Sequence, residues 1–80
     1  MNMAANGLEA GKCYLMETGH LRRVMRIMPD GRVQYEHRAV QQTNVKIWRP
    51  GMQDGHSFAS QVEREVSCDW IAESDGRGAR

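Results

Sequence analysis

The sequence is poor in cysteine and has no long apolar run. Its 80 residues include two cysteines, Cys13 and Cys68, whereas a small secreted domain that depends on disulfide bonds carries about four or more. We therefore predict that both thiols are reduced and mostly buried. No segment approaches the roughly 20 apolar residues that span a membrane, and no cationic start followed by an apolar stretch marks a leader peptide. These absences predict a cytoplasmic protein without membrane contacts.

The chain also lacks an excess of charge of one sign. Its net charge of +1 excludes a polybasic coat for nucleic acid and an acidic solubilising segment. The charge is unevenly distributed, because residues 22–49 carry seven Lys or Arg and two Asp or Glu, while residues 50–80 carry three and six. Either the two regions neutralise one another in the fold, or the middle region faces an anionic partner.

Glycine and proline occur mainly in short turn signals, such as "PDG" at 29–31 and "RPG" at 49–51. Their regular spacing predicts short strands in a meander or small barrel. Both ends of the chain are small, polar and Gly-rich. We therefore predict flexible tails at residues 1–9 and 72–80 around a single domain at residues 10–71.

The "MPDGR" segment at 28–32 predicts a β-hairpin with a three-residue loop. This register places Ile27 opposite Val33 and Met25 opposite Tyr35, because directly paired residues share one face of a sheet. A tight connection at Thr18 and Gly19 would add a preceding strand, with Met16 opposite Leu21. The predicted apolar face then contains Tyr14, Met16, Leu21, Met25, Ile27, Val33 and Tyr35.

Two further elements are predicted after this sheet. A fourth strand covers residues 44–49 and ends at Pro50, which cannot donate to a strand ladder. Apolar residues at every fourth position then predict a helix over 57–65 with Ser57 as its N-cap. An extended segment follows, although the alternation over 66–71 leaves open whether these residues form a strand or continue the helix.

Three short motifs carry a resemblance to a known group of proteins: "RVQYEHR" at 32–38, "IWRPG" at 47–51 and "SFASQVERE" at 57–65. Over residues 10–66 the chain resembles small uncharacterised bacterial proteins with an SH3-like β-barrel. The resemblance implies a mainly β fold, a bacterial or phage source and a cytoplasmic location, and it implies no catalytic residues. We therefore expect an SH3-like barrel of four to five antiparallel strands with one short C-terminal helix.

Cationic residues are the first candidates for a binding surface. The predicted register places four arginines on the outward face, where they could neutralise phosphates. Charged side chains on outward strand positions also prevent aggregation, which is the alternative interpretation. The candidate cationic residues are Arg22, Arg26, Arg32, Arg38, Lys46 and Arg49.

Trp48 is the candidate aromatic residue, since inward Val45 and Ile47 would leave it exposed beside Arg49. Such a ring stacks on a base or anchors a peptide. The alternative is that it covers the edge of the core.

The sequence predicts no catalytic residue, metal site or cofactor. The histidines and cysteines lack the paired spacing of a closed zinc site. Asp54, His56 and Ser57 are the residue types of a hydrolytic triad, but triads assemble across a fold and these three are neighbours.

We therefore predict a non-catalytic interaction module that binds a protein partner, or a second copy of itself, through Trp48, Arg49 and the loop at 39–44. A free strand edge motivates this prediction. The first alternative is weak nucleic-acid binding through the arginine-rich face. The second is a small oligomeric enzyme with a shared pocket lined by Tyr14, Tyr35 or His37.

Overall fold

A computed structural model describes residues 5–40 and 47–72. Within these residues, five strands pair antiparallel in one sheet. The predicted mainly β class with one short helix is confirmed. The SH3-like barrel stays a prediction. In chain order the elements are a 3₁₀ turn at Ala5–Gly7, β1 at Cys13–Met16, β2 at His20–Ile27, β3 at Arg32–Ala39, β4 at Arg49–Asp54, α1 at Gly55–Ser60 and β5 at Val62–Val66. The order of the strands across the sheet is β4-β3-β2-β1-β5.

The β2–β3 hairpin has the predicted turn. The Met28 amide donates to the Arg32 carbonyl at 2.8 Å, and the Gly31 amide donates to the Met28 carbonyl at 2.9 Å. Gly31 adopts φ +93°, a left-handed conformation that few other residues tolerate. Ile27 pairs with Val33 as predicted.

A β-bulge in β2 changes the faces of the residues that precede it. The register shifts between Val24 and Arg26, so Val24 pairs with Tyr35. The predicted pairing of Met25 with Tyr35 is therefore wrong: Val24 is fully buried, whereas Met25 is 47% exposed. A bulge adds one unpaired residue to a strand, which reverses the side of every residue before it.

The β1–β2 register also differs from the prediction. Leu21 pairs with Leu15, not with Met16, so Leu21 lies on the opposite face from Tyr14. We call the side that carries Tyr14 and Tyr35 the core face. Its buried cluster, together with residues from outside the sheet, comprises Leu8, Tyr14, Met16, Val24, Val33, Tyr35, Phe58, Ala59 and Val62.

The other side of the sheet, which we call the strap face, is crossed by residues 67–72, the strap. The predicted reduced thiols are wrong, because Cys13 in β1 and Cys68 in the strap form a disulfide bond. The Ala72 amide donates to the Val40 carbonyl at 2.9 Å. Sequence spacing gave no sign of this pairing, because the two cysteines are 55 residues apart.

Part of the predicted N-terminal tail at residues 1–9 contacts the folded domain. Leu8 is buried in the core cluster, and the 3₁₀ turn at Ala5–Gly7 packs against α1. Residues 1–4 and 73–80 lie outside the described residues, as does the predicted loop from position 41 onward.

The predicted fourth strand at 44–49 overlaps β4 only at Arg49. Positions 44–46 lie outside the described residues, and Ile47 and Trp48 belong to no strand. β4 runs through Pro50 and Gly51 instead of ending there. Because β4 is the outermost strand, the missing amide of Pro50 can face away from β3 without loss of a ladder bond. A Cβ atom at Gly51 would lie 2.6 Å from the Tyr35 ring, so the glycine allows this ring to pack closely on the strand.

The predicted helix is too long and begins too late. α1 covers Gly55–Ser60, and its N-cap is Asp54, whose carboxylate accepts a hydrogen bond from the Ser57 amide at 3.2 Å. The chain then enters β5, where Val62 pairs with Met16. Phe58 and Val62 both reach the core, but from two different elements. At Val62, the strand pairing with β1 therefore determines the structure, although the four-residue apolar spacing predicts a helix there.

Neither the 3₁₀ turn nor α1 in the described part of the chain is long and apolar enough to cross a membrane.

Candidate anion-binding site

The structure does not assemble the predicted arginine surface. Arg22 lies on the core face, because the bulge reverses its side. Its guanidinium carbon is 4.5 Å from the centroid of the Tyr35 ring and 5.4 Å from that of Phe58, and Nη1 donates to Oε1 of Gln53 at 2.5 Å. Burial lowers the pKa of Arg22. These contacts make Arg22 a packed residue rather than an outward one.

Arg38 is on the predicted face, but the strap covers it. The residue is 2% exposed, and its Nη2 atom donates to the carbonyls of Cys68 at 2.9 Å and Trp70 at 2.6 Å. Nη1 donates to the carbonyl of Ala39 at 3.2 Å. Burial lowers the pKa of Arg38, and the nearby Asp69 carboxylate acts in the opposite direction.

The remaining predicted cations are dispersed. Arg26 and Arg32 are exposed on the strap face near the hairpin end, and Arg32 forms an ion pair with Asp30 at 2.8 Å. Arg49 is exposed at the start of β4. Lys46 lies outside the described residues. The structure therefore keeps Arg26 and Arg32 close to their predicted positions and separates them from Arg22 and Arg49.

Trp48 is half-buried rather than exposed. The guanidinium carbon of Arg23 is 4.3 Å from the centroid of its ring, and that of Arg38 is 5.1 Å away. Arg23 also forms an ion pair with Glu36 at 2.6 Å. The ring thus packs against two guanidinium groups on the strap face, and it is not part of the core cluster.

A different group of cationic side chains meets on the core face. Directly paired strand residues share a face, and His37 pairs with both Arg22 and Arg49. The ring centroids of His20 and His37 are 5.9 Å apart. These residues border a cavity of about 190 Å³, which we call the cationic pocket. Its lining comprises His20, His37, Arg38, Ala39, Ile47 and Arg49.

The electrostatics of the cationic pocket favour an anion. The pKa of His37 is lowered, first by burial and then by the positive charges of His20, Arg22 and Arg49. None of the described residues that line the cavity is acidic. Since like charges disfavour protonation of His37 and an anion would favour it, the arrangement is suited to bind an oxyanion.

Sequence reasoning missed His20 and considered His37 only for a shared enzyme pocket, not beside Arg49 in a cationic pocket. The hairpin register without the bulge places His37 opposite Arg23, whereas the structure pairs it with Arg22. An apolar–polar alternation test could not locate the bulge, because both Val24 and Met25 are apolar.

The residues considered for catalysis have structural roles. The Asp54 carboxylate caps α1, and Tyr14 and Tyr35 belong to the buried core cluster. Over residues 5–40 and 47–72, no group of three His, Cys, Asp or Glu side chains could hold a metal ion. Of the residues predicted for a shared enzyme pocket, His37 alone borders the described cavity.

Comparisons with models of protein families, with curated proteins and with solved structures found no match to this chain.

Proposed function

We propose that this protein is a non-catalytic interaction module whose cationic pocket binds an acidic segment of a partner protein. The supporting observation is the convergence of His20, His37 and Arg49 on one cavity that no acidic side chain lines in the described chain. Arg49 offers the planar donor pair that recognises a carboxylate. An acidic side chain entering the pocket would neutralise positive charge that none of the described lining residues neutralises.

The size of the pocket favours a protein partner over nucleic acid. Nucleic-acid binding uses cations that follow several successive phosphates and aromatic rings that stack on bases. Arg22 and Arg38 are engaged in internal contacts, and Trp48 packs against guanidinium groups. A single cavity of about 190 Å³ suits one acidic group.

The strand edges support recognition by side chains rather than by strand addition. β4 contains Pro50, which removes one donor from the outer edge. At the other edge, β5 has five residues and exposes Glu63, Arg64 and Glu65. If two copies of β5 paired antiparallel about Arg64, this residue would face its own copy, and Glu63 would face Glu65. Like charges directly opposite are destabilising, so self-association through this edge is disfavoured.

Binding can be tested by fluorescence anisotropy with a labelled Glu-rich peptide, without reductant and at two salt concentrations. We expect Arg49→Gln to weaken binding about tenfold, the value of one charge-assisted hydrogen bond. Arg32→Gln is the matched control, because it removes the same charge from an exposed residue outside the pocket. Equal losses in the two variants, or tighter binding of a single-stranded oligonucleotide than of the peptide, would contradict the proposal.

Three predictions from the sequence accompany this proposal: the SH3-like barrel, the bacterial source and the cytoplasmic location. The disulfide bond between Cys13 and Cys68 bears on the predicted cytoplasmic location. Disulfide bonds in the cytosol of mesophiles are rare, and they are usually transient or redox-sensing. A cytoplasmic location would therefore require the bond between Cys13 and Cys68 to form and break during the life of the protein.

A further inference from the structure

The strap is held on the sheet by three kinds of contact. The disulfide bond fixes Cys68 to Cys13 in β1. Arg38 donates to two strap carbonyls, and the Ala72 amide donates to the Val40 carbonyl. The disulfide bond is the one covalent link among these contacts, so breaking it would leave the strap attached by hydrogen bonds and packing.

Two strap oxygens occupy the position that an anionic ligand would take on Arg38. The carbonyls of Cys68 and Trp70 both accept from the Nη2 atom of Arg38. Nε of Arg38 is buried and has no hydrogen-bond partner among the described residues. Arg38 is thus more than nine-tenths buried, and one of its N–H groups makes no hydrogen bond with any described residue. Phosphate oxygens would accept hydrogen bonds from such a guanidinium.

The surroundings of Arg38 on the strap face fit a phosphodiester strand. Arg26 and Arg38 belong to this face, and Trp48 packs beside Arg23 and Arg38. Arginines beside an aromatic ring are the components with which proteins bind single-stranded nucleic acid. Asp69 lies on the strap, near enough to Arg38 to influence its pKa, and would leave with the strap.

The disulfide bond can be reached from solvent on one side. Cys13 is 1% exposed, whereas Cys68 is half-buried. An attacking thiolate therefore reaches Sγ of Cys68 more easily than Sγ of Cys13.

We propose that the strap masks a binding surface for single-stranded nucleic acid on the strap face, and that a dithiol reductant uncovers it. A thiolate of the dithiol attacks Sγ of Cys68, the bond to Cys13 breaks, and Cys13 leaves as a thiolate that takes up a proton. The second thiol of the reductant then displaces Cys68, which also takes up a proton. The protein gains two electrons and two protons, and the dithiol becomes a disulfide. Arg38 exchanges the strap carbonyls for phosphate oxygens. Arg38 also belongs to the lining of the cationic pocket, but its guanidinium donates to the strap carbonyls, whereas His20, His37 and Arg49 are not part of the proposed surface.

Two readouts on the full chain test this proposal: hydrogen exchange of backbone amides, and binding of a fluorescent single-stranded oligonucleotide. On reduction we expect the Ala72 amide to exchange faster while the β2–β3 amides keep their protection. Affinity for the oligonucleotide should rise about tenfold and fall again with salt. The double variant Cys13→Ser, Cys68→Ser should reproduce both changes without reductant.

Arg38→Gln should remove the gain in affinity in the reduced chain, whereas Lys12→Gln, at an exposed ion pair with Glu65, should retain it. An unchanged exchange rate at Ala72 would overturn the proposal. So would faster exchange with unchanged affinity, or a loss of protection throughout β2 and β3. A failure of the acidic peptide to bind would count against the cationic pocket and would leave these readouts unaffected.

Discussion

Val24 faces Tyr35 across the β2–β3 pair, and Met25, the next residue, does not. The bulge that causes this shift places Val24 in the core and brings Arg22 over the Tyr35 ring. It also aligns His37 with Arg22, while the regular β3–β4 pairing sets Arg49 beside His37. The core packing and the cationic pocket therefore depend on one irregularity in β2.

Because of the bulge, we expect substitution of Val24 to destabilise the fold much more than substitution of its neighbour Met25. Val24→Ala removes buried methyl groups and should lower the free energy of unfolding by roughly 2 kcal/mol. Met25→Ala changes an exposed side chain and should alter it by less than about 0.5 kcal/mol. Urea denaturation of both variants measures the difference. A larger loss of unfolding free energy for Met25→Ala than for Val24→Ala would contradict the bulge and support the register in which Met25 lies opposite Tyr35.

The packing of Tyr35 on Gly51 predicts that β4 does not tolerate a side chain at this position. The new Cβ atom in Gly51→Ala would lie 2.6 Å from the ring, so the ring must move, at a cost of roughly 1 to 3 kcal/mol. Met52→Ala, at the exposed next position in β4, is the control and should cost less than about 0.5 kcal/mol. Equal denaturation midpoints for the two variants would show that the ring does not pack on Gly51.

The disulfide bond should contribute strongly to stability. Cross-linking residues 55 positions apart restricts the unfolded chain and corresponds to roughly 4 kcal/mol in the chain-entropy treatment. Reduction should therefore lower the urea midpoint of the natural chain. The double variant Cys13→Ser, Cys68→Ser should have the low midpoint with or without reductant. An unchanged midpoint on reduction would contradict a bond between these two cysteines.

Stability should depend on pH through His37. Its pKa in the folded chain lies below the ordinary value of 6.5, so between these two values the unfolded chain binds more protons. The free energy of unfolding should therefore decrease as the pH falls below about 6.5, the reference pKa of histidine, and continue to decrease down to the folded-state pKa. Denaturation at pH 7.5 and pH 5.5 measures this dependence. His37→Gln should reduce this dependence, and an unchanged dependence in that variant would contradict the assignment to His37.

The parts of the fold that local chemistry determines were predictable from the sequence. The "PDG" turn placed Ile27 opposite Val33, and strand alternation placed Arg26 and Arg38 on one face. The same alternation could not show that the strap covers Arg38, since that contact joins residues about thirty positions apart. It also could not place the bulge, because Val24 and Met25 are equally acceptable as inward residues. The cationic pocket follows from the bulge and remained hidden for that reason.

The helix was misplaced for a related reason. Phe58 and Val62 have helical spacing, and both are buried. The pairing of Val62 with Met16 in β1 is a long-range contact that no local pattern contains.

The imidazole signals of His20 and His37 in a nuclear magnetic resonance titration with a Glu-rich peptide test the cationic pocket most directly. We predict that both signals shift with a common dissociation constant, and that the pKa of His37 rises in the bound state because a carboxylate stabilises the protonated ring. The signal of His56 should stay in place. Binding of the peptide without any change at His20 and His37 would contradict the pocket as the site of recognition.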